Sequence, residues 1–208
     1  MGLLLYAAVI GDIVGSRKLP NRGEVQQKFL EVARAVNLRF REAIESPFTI
    51  TLGDEFQILV HNPVVVPDLI PYVKKEMHPV QLVFGVGLGV ITTEINRQQA
   101  IGMDGPAFHF ARQALEKAKK KKPGVVFLAD HPAIEMVNAL QHFIESCLRR
   151  RTRRQLEAVD LFELGLTQQQ IAQKIGVTQE TVSELISSAY YWEVQEALSA
   201  VRNFLATL

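Results

Sequence analysis

The amino-terminal stretch of residues 3–10 is almost wholly apolar and stops at Gly11 and Asp12. It is much shorter than the roughly 20 apolar residues that a helix needs to cross a bilayer. No basic region precedes it, as one would in a secretion signal. Because Gly11 and Gly15 follow at once, a buried central strand is favoured over a buried helix. The sequence therefore predicts a chain built on a sheet, with no membrane partner.

The rest of the first two thirds alternates between helical and strand patterns. Apolar residues recur every three or four positions from Val25 to Ile44, which predicts an amphipathic helix. Alternation around the tight turn at Gly53, Asp54 and Glu55 predicts a hairpin. The predicted elements are a strand at 3–10, a helix at 23–44, hairpin strands at 48–52 and 56–60, a helix at 67–77, a strand at 80–91, a helix at 105–120 and a strand at 125–129. This order is that of a ferredoxin-like α+β fold with one extra short strand.

Three side-chain patterns in this part have local structural explanations. Gly85, Gly87 and Gly89 alternate along one strand, so they lie on one face and predict a helix packed close against it. His109 stands between two phenylalanines, which favours a partly buried packing residue over a ligand. The lysines between 117 and 122 are typical of a solvated helix end before Pro123.

Acidic residues mark one predicted end of the sheet. Asp12 ends the first strand, and Asp54 and Glu55 lie in the hairpin turn, which neighbours that strand in a ferredoxin-like sheet. Each has a local explanation as a turn residue. Together they predict a site for Mg²⁺ or Mn²⁺. The loop after the first strand would offer its amides and a guanidinium to a phosphate through Ile13, Val14, Gly15, Ser16 and Arg17.

After residue 146 the composition changes, and we predict two domains, 1–146 and 147–208. Five arginines without an acid lie between Cys147 and Gln155. Beyond a helix predicted at 152–164, small and apolar residues follow the spacing of a helix-turn-helix: Ile171, Ala172, Ile175, Gly176, Val177, Val182 and Leu185. Ala172 leaves room for the second helix, and Gly176 permits the left-handed turn. The second domain is thus predicted to be all-α.

A helix-turn-helix predicts DNA as a partner. The start of the second helix would face the major groove with Thr178, Gln179, Thr181 and Ser183, while phosphates would be held by Arg150, Arg151, Arg153 and Arg154. Glu180 and Glu184 oppose this, because they add negative charge near phosphates. The alternative is a trihelical fold for dimerisation or docking. Tyr190, Tyr191 and Trp192 are interpreted as residues that pack this unit against a neighbour rather than stack on bases.

Overall composition sets further limits. The chain has 208 residues with 23 Lys+Arg against 22 Asp+Glu, so no general attraction to a charged polymer is expected. Its single cysteine, Cys147, excludes a disulfide within one chain. A reducing, cytoplasmic location is therefore expected.

Two motifs in the first domain resemble known families. IGDIVGSR, ending at Arg17, is similar to the first-strand metal motif of class III nucleotide cyclases, and LGDEFQILV is similar to the hairpin of both these cyclases and the GGDEF domains. The combination of GDIVGSR, GDEFQ and a carboxyl-terminal helix-turn-helix resembles the SatD family over nearly the whole chain. That resemblance implies a bacterial cytosolic protein with a cyclase-like palm domain. By analogy with cyclase palms, we expect a homodimer.

The cyclase resemblance fails at the residues that catalysis needs. Ile50 stands where a purine-selecting lysine would be, and His109 and Gln113 stand where the asparagine and arginine of the later helix would be. An active nucleotide cyclase is therefore not expected. Two hypotheses remain. One is a regulatory protein that couples metal and nucleotide binding to DNA binding. The other is a metal-dependent nucleotidyl transferase or phosphohydrolase whose helical domain serves assembly.

Overall fold

A computed structural model describes residues 5–51, 53–120 and 124–208 of the chain. Strand β1 spans Tyr6–Ile13 and is followed by a short 3-10 turn at Ser16–Lys18 and by helix α1 at Arg22–Arg39. Next come β2 (Ile44–Ile50), β3 (Glu55–Val60), a 3-10 turn at Pro63–Val65, α2 (Val66–Met77), β4 (Leu82–Gly89), α3 (Pro106–Lys120) and β5 (Val125–Leu128). Five helices complete the chain: α4 (Ile134–Arg150), α5 (Arg153–Glu163), α6 (Gln168–Ile175), α7 (Gln179–Ser188) and α8 (Tyr191–Leu205).

The five strands form one sheet in the order β2-β3-β1-β4-β5. Strands β1 to β4 pair antiparallel, and β5 joins β4 in parallel. This is the arrangement of a ferredoxin-like fold with one added strand, so the α+β prediction and the order of its elements are confirmed.

Helices cover both faces of the sheet because each face carries alternate apolar residues. On one face Ala8, Ile10, Leu59 and Val83 pack against α3 through Ala107, Ala111 and Leu115. On the other, Phe56 of β3 contacts Phe29 of α1 and Phe84 of β4 edge to face. Burial of these aromatic side chains is a large part of what holds α1 to the sheet.

Several element boundaries differ from the sequence-based prediction. The predicted first helix is wrong beyond Arg39, because the chain turns at Phe40 and Ile44 already belongs to β2. Glu55 lies in β3 rather than in the hairpin turn. The first strand runs on to Ile13, and the fourth ends at Gly89. The predicted positions of residues 3 and 4, Leu52, Lys121 and Lys122 lie outside the described residues.

The chain divides into two compact units, whose boundaries fall within α4 and α8. The sheet unit extends to Asn138 and also includes Val201–Leu208. The helical unit comprises Ala139–Ala200. The domain boundary predicted at 146/147 also falls within α4 and stays a prediction. Among the described residues, no helix is both long and apolar enough to cross a membrane.

Candidate functional site

The predicted carboxylates do lie at one end of the sheet. Asp12 and Glu55 are direct partners in the β1–β3 ladder, so their side chains project from the same face, the one that α3 covers. Asp54 immediately precedes β3, and its backbone carbonyl accepts a hydrogen bond of 3.0 Å from the amide of Ile13. The order of the strands therefore brings together residues that are 42 positions apart in sequence.

Each of the three carboxylates has a protein partner. The ammonium of Lys119 lies 2.7 Å from Asp12 Oδ2. Arg112 donates two hydrogen bonds to Glu55, of 2.5 and 2.9 Å, in the bidentate geometry that suits a guanidinium. The hydroxyl of Ser16 donates to Asp54 Oδ2 at 2.5 Å. Asp54 is thus tied to the loop after β1, whereas Asp12 and Glu55 are tied to α3.

These partners oppose the predicted metal site. Mg²⁺ needs several oxygen ligands in near-octahedral geometry, but two of the three carboxylates are already neutralised by cationic side chains. Within the described ranges 5–51, 53–120 and 124–208, no three His, Cys, Asp or Glu side chains are close enough to hold a metal ion. The observed arrangement of Asp12, Asp54 and Glu55 therefore does not fit Mg²⁺ or Mn²⁺.

The predicted phosphate loop is only partly available. The amide of Ile13 binds the carbonyl of Asp54, and that of Val14 binds the carbonyl of Gln81 at 2.9 Å. Gly15 adopts a left-handed conformation with φ of 65° and starts the 3-10 turn. Since the first amides of such a turn have no partner inside it, Ser16 and Arg17 are the better candidates for contact with a phosphate.

A pocket adjoins this loop. It is lined by the apolar side chains of Ile13, Leu19 and Val25 and by the polar groups of Ser16, Arg22, Gln26, Gly53 and Asp54. Its volume of about 240 Å³ includes open solvent, so it is a shallow surface depression rather than an enclosed small-molecule pocket. Such a depression can contact one group of a ligand but not surround a whole ligand. Arg22 and Gln26 are not among the site residues predicted from the sequence, although both lie in the first two turns of the helix that follows the loop.

The later helix differs from the prediction at His109. Its side chain is 60% exposed, and Nε2 lies 2.7 Å from Asp104 Oδ1, so the predicted role as a partly buried packing residue is wrong. The amide of Gly105 also donates to Asp104. These two hydrogen bonds, the amide first, hold the pKa of the Asp104 carboxyl below its usual value.

Arg112 and Lys119 are neighbours of the carboxylates that were not paired with them from the sequence, and the prediction that Lys119 belongs to a solvated helix end is wrong, because its ammonium is paired with Asp12. They are seven residues apart, two turns of α3, and therefore lie on one face of that helix. Hydrogen bonding to Glu55 raises the pKa of Arg112. Burial works against the charge of Lys119, but the hydrogen bond and charge of Asp12 outweigh it and raise the pKa of its ammonium. The periodicity of α3 is the signal that could have paired them with the carboxylates.

In the helical unit, each helix of the predicted DNA-binding segment begins at a capping threonine. The hydroxyls of Thr152, Thr167 and Thr178 accept from the backbone amide three residues on, at the starts of α5, α6 and α7. Gly176 ends α6 with φ of 70°, as its place in a tight turn requires. Ile171, Val182 and Ile186 are buried between the helices.

The residues predicted to contact bases are near the surface. Thr178, Gln179 and Ser183 are exposed, and Thr181 is partly buried. All four lie at the start of α7, where Glu180 and Glu184 are exposed as well. The acidic character predicted for this surface from the sequence is therefore present in the structure.

The arginine cluster is at the other end of the same helix. Arg151 donates from Nε to the carbonyl of Ala189 at 3.0 Å, and Gln155 donates to Ser188 at 2.9 Å. Ser188 is the last residue of α7, and Ala189 follows it. Because α7 has 10 residues, this end lies about 15 Å from Thr178, which caps the other end. Arg150, Arg153 and Arg154 are exposed, but the half-buried Arg151 is tied to the backbone. Burial also lowers the pKa of Arg151.

Aromatic residues at the start of α8 pack within the helical unit. Tyr191 and Trp192 contact Phe162 of α5 edge to face, with ring centroids 5.4 and 5.8 Å apart. Trp192 nevertheless keeps 56% of its surface exposed. These contacts lie within the helical unit, so the predicted packing of this unit against a neighbour stays a prediction.

The combination of a ferredoxin-like sheet and a following set of short helices can be compared with known proteins. The sequence profile of the SatD family matches residues 6–196. This chain belongs to the SatD family. The resemblance inferred from GDIVGSR and GDEFQ is thereby confirmed. Among curated proteins no sequence matches this SatD chain.

Solved structures similar to this SatD protein include nucleotide cyclases. A bacterial light-regulated adenylyl cyclase is 16% identical with a TM-score of 0.47, and the alignment covers 67% of this chain and 81% of that one. The monomeric guanylyl cyclase domain of a RhoGC fusion protein from the aquatic fungus Blastocladiella emersonii is 14% identical with a TM-score of 0.38, covering 55% and 75%. The guanylyl cyclase Cya2 is 14% identical with a TM-score of 0.36, covering 56% and 73%. Identities of this size concern the fold alone.

Proposed function

We propose that this SatD protein is a regulatory protein that binds a phosphate-bearing ligand, a nucleotide, beside the β1–α1 loop and binds DNA through α6 and α7. The observation that carries the first part is the hydrogen bond of 2.5 Å from Ser16 to Asp54. It fixes the loop against the β3 hairpin and leaves Arg17 and Arg22 exposed beside it. Two guanidiniums near a preformed pocket are suited to one phosphate group.

Ligand binding can be tested by thermal unfolding of the full chain with a panel of nucleoside mono-, di- and triphosphates. A ligand that binds the native state raises the midpoint, because it stabilises that state by an amount that grows with the logarithm of one plus its concentration over Kd. We expect a shift in the wild type that is reduced in Arg22→Gln and in Arg17→Gln. Arg34→Gln is the matched control, because it removes an exposed arginine from the same helix α1 away from the pocket. Equal shifts in all four proteins would contradict a site at this loop.

DNA binding is supported by the arrangement of α6, the Gly176 turn and α7, which leaves Thr178, Gln179 and Ser183 exposed. Gln can accept from and donate to adenine in the major groove, and Ser and Thr contact several bases. The arginines at the other end of α7 are too far away to hold phosphates beside the bases that these side chains would contact. We therefore assign Arg150, Arg153 and Arg154 to a separate phosphate contact and leave Arg151 out.

Selection of bound fragments from genomic DNA at low salt, followed by titration at increasing salt, tests this part. We expect Gln179→Ala to weaken selected sites by about 1–3 kcal/mol with an unchanged salt slope. Arg153→Ala should reduce the slope by about one. Gln173→Ala, exposed on α6, is the matched control for loss of a glutamine. A protein that selects no DNA above background would favour the alternative of a trihelical docking unit.

The enzyme hypothesis has less support. A metal-dependent nucleotidyl transferase or phosphohydrolase needs carboxylates free to hold its cations, whereas Asp12 and Glu55 are paired with Lys119 and Arg112. Only the acidic start of α7 favours it, because that surface suits assembly better than contact with DNA. Mn²⁺-dependent turnover of a nucleotide, abolished by Asp12→Asn, would restore this alternative. Homodimerisation stays a prediction, which sedimentation of the full chain would test.

A further inference from the structure

We propose that Lys119 takes the place of a divalent cation at Asp12, so that the sheet unit carries its own cation where the sequence predicts Mg²⁺ or Mn²⁺. This inference does not depend on the proposed ligand or on DNA binding. It concerns only the two ion pairs between α3 and the end of strands β1 and β3.

The four side chains form a neutral set. Asp12 and Glu55 retain only 19% and 10% of their side-chain surface, and carboxylates removed from water to this extent need compensating charge. Lys119 and Arg112 supply one positive charge each. The exposed Glu116 acts on both cations as well. Because both carboxylates already have compensating partners, a divalent cation must compete with the ammonium of Lys119 or the guanidinium of Arg112 to bind them.

The backbone of α3 cannot withdraw to make room. A Cβ on Gly85 would lie 2.2 Å from the carbonyl oxygen of Ala111, and one on Gly87 would lie 2.0 Å from that of Ala107. The helix is therefore in direct backbone contact with β4. Ala118, the residue before Lys119, is buried in the same interface. This packing holds the backbone end of the Lys119 side chain close to Asp12, even if the ammonium moves.

The ammonium of Lys119 is also suited to replace a bound cation as the partner of Asp12. It is a compact charge with three donors, and its distance of 2.7 Å to Oδ2 is that of a charge-assisted hydrogen bond. Its side chain is 37% exposed, so water can replace it if the lysine is removed. Loss of this one side chain should leave Asp12 negative and open to solvent, so that its carboxylate and several waters can together hold a weakly bound divalent cation.

The test is binding of Mn²⁺ alone, measured by the loss of the free-ion electron paramagnetic resonance signal, with the full chain and no nucleotide. We expect no Asp12-dependent binding in the wild type. Lys119→Gln should bind one Mn²⁺ at least about tenfold more tightly than the wild type. That gain should vanish in the double variant Asp12→Asn/Lys119→Gln. Lys120→Gln, which removes the next lysine along α3, is the matched control and should behave as the wild type.

Two results would overturn the proposal. One is Mn²⁺ binding by the wild type that Asp12→Asn abolishes, since the ion would then displace Lys119 unaided. The other is a failure of Lys119→Gln to gain binding while its thermal midpoint stays near that of the wild type. Should the glutamine variant unfold, Lys119→Met keeps the apolar stem of the side chain and repeats the measurement. Because no nucleotide is present, the outcome is independent of whether the loop binds one.

Discussion

The side chain of Asn138 forms two hydrogen bonds with the backbone of Phe127, one as donor and one as acceptor. The side-chain amide donates to the carbonyl of Phe127, and the amide of Phe127 donates to Asn138 Oδ1, both at 2.8 Å. Phe127 belongs to β5, the last strand in the sheet order, and faces β4 with its other edge. The side chain of Asn138, near the start of α4, therefore supplies hydrogen-bond partners that a further strand would otherwise supply to this edge of the sheet.

Replacement of Asn138 by Ala should destabilise the sheet unit. Two backbone groups of a partly buried strand lose their partners, which corresponds to about 1–3 kcal/mol. Urea unfolding followed by circular dichroism measures the change. Asn203→Ala, at an exposed position of α8, controls for loss of an asparagine from a helix. Equal effects of the two variants would show that the Phe127 contacts contribute nothing.

The close contact between β4 and α3 gives a second prediction. A methyl group on Gly87 would meet the carbonyl oxygen of Ala107 and the amide of Ala111 at 2.0 and 2.2 Å. Backbone atoms cannot rotate away as a flexible side chain can, so Gly87→Ala should cost about 3 kcal/mol or more. Urea unfolding at fixed protein concentration is again the measurement.

Gly23→Ala is the matched control for Gly87→Ala. A Cβ at Gly23 would meet no atom within 4 Å among the described residues, and this glycine lies in α1. The exchange should therefore stabilise the protein by about 0.4–1 kcal/mol, because alanine restricts the unfolded chain. If both exchanges changed stability in the same direction, close packing of α3 would not explain the glycines of β4.

Much of this fold follows from local sequence patterns, and the site follows only in part. Alternation and helical periodicity identify the strands and helices, and the ferredoxin-like order then makes Asp12 a neighbour of Glu55. What the pattern does not contain is the partner of each charge. Lys119 reaches Asp12 because the backbone of α3 packs directly against β4. Side-chain pairing between distant elements depends on such packing, which the local pattern of a single sequence does not encode.

Asp104 provides a prediction of pH dependence. Its pKa is lowered from 3.8 in the folded chain, first by the amide of Gly105 and then by His109. A carboxyl whose pKa is lower in the folded chain than in the unfolded chain stabilises the folded chain at pH values above its unfolded-state pKa. This stabilisation is lost as the pH falls through its folded-state pKa. The difference in thermal midpoint between wild type and Asp104→Asn should therefore be constant at neutral pH and shrink below pH 3.8. Asp130→Asn, at an exposed position before α4, controls for loss of a negative charge, and a difference that grows on acidification would contradict the assignment.

Arg151 and Arg150 should differ sharply although they are adjacent. The guanidinium of Arg151 donates to the carbonyl of Ala189, and its Nη2 is buried with no hydrogen-bond partner among the described residues. Arg151→Ala leaves the Ala189 carbonyl unpaired and removes the packed stem, which should cost about 1–3 kcal/mol. Arg150 is exposed, so its replacement by Ala should change stability by less than about 0.5 kcal/mol. Denaturant unfolding of both variants decides between a structural and a surface role for each. If Arg151→Ala were as stable as Arg150→Ala and weakened DNA binding equally, both arginines would belong to one phosphate-binding surface.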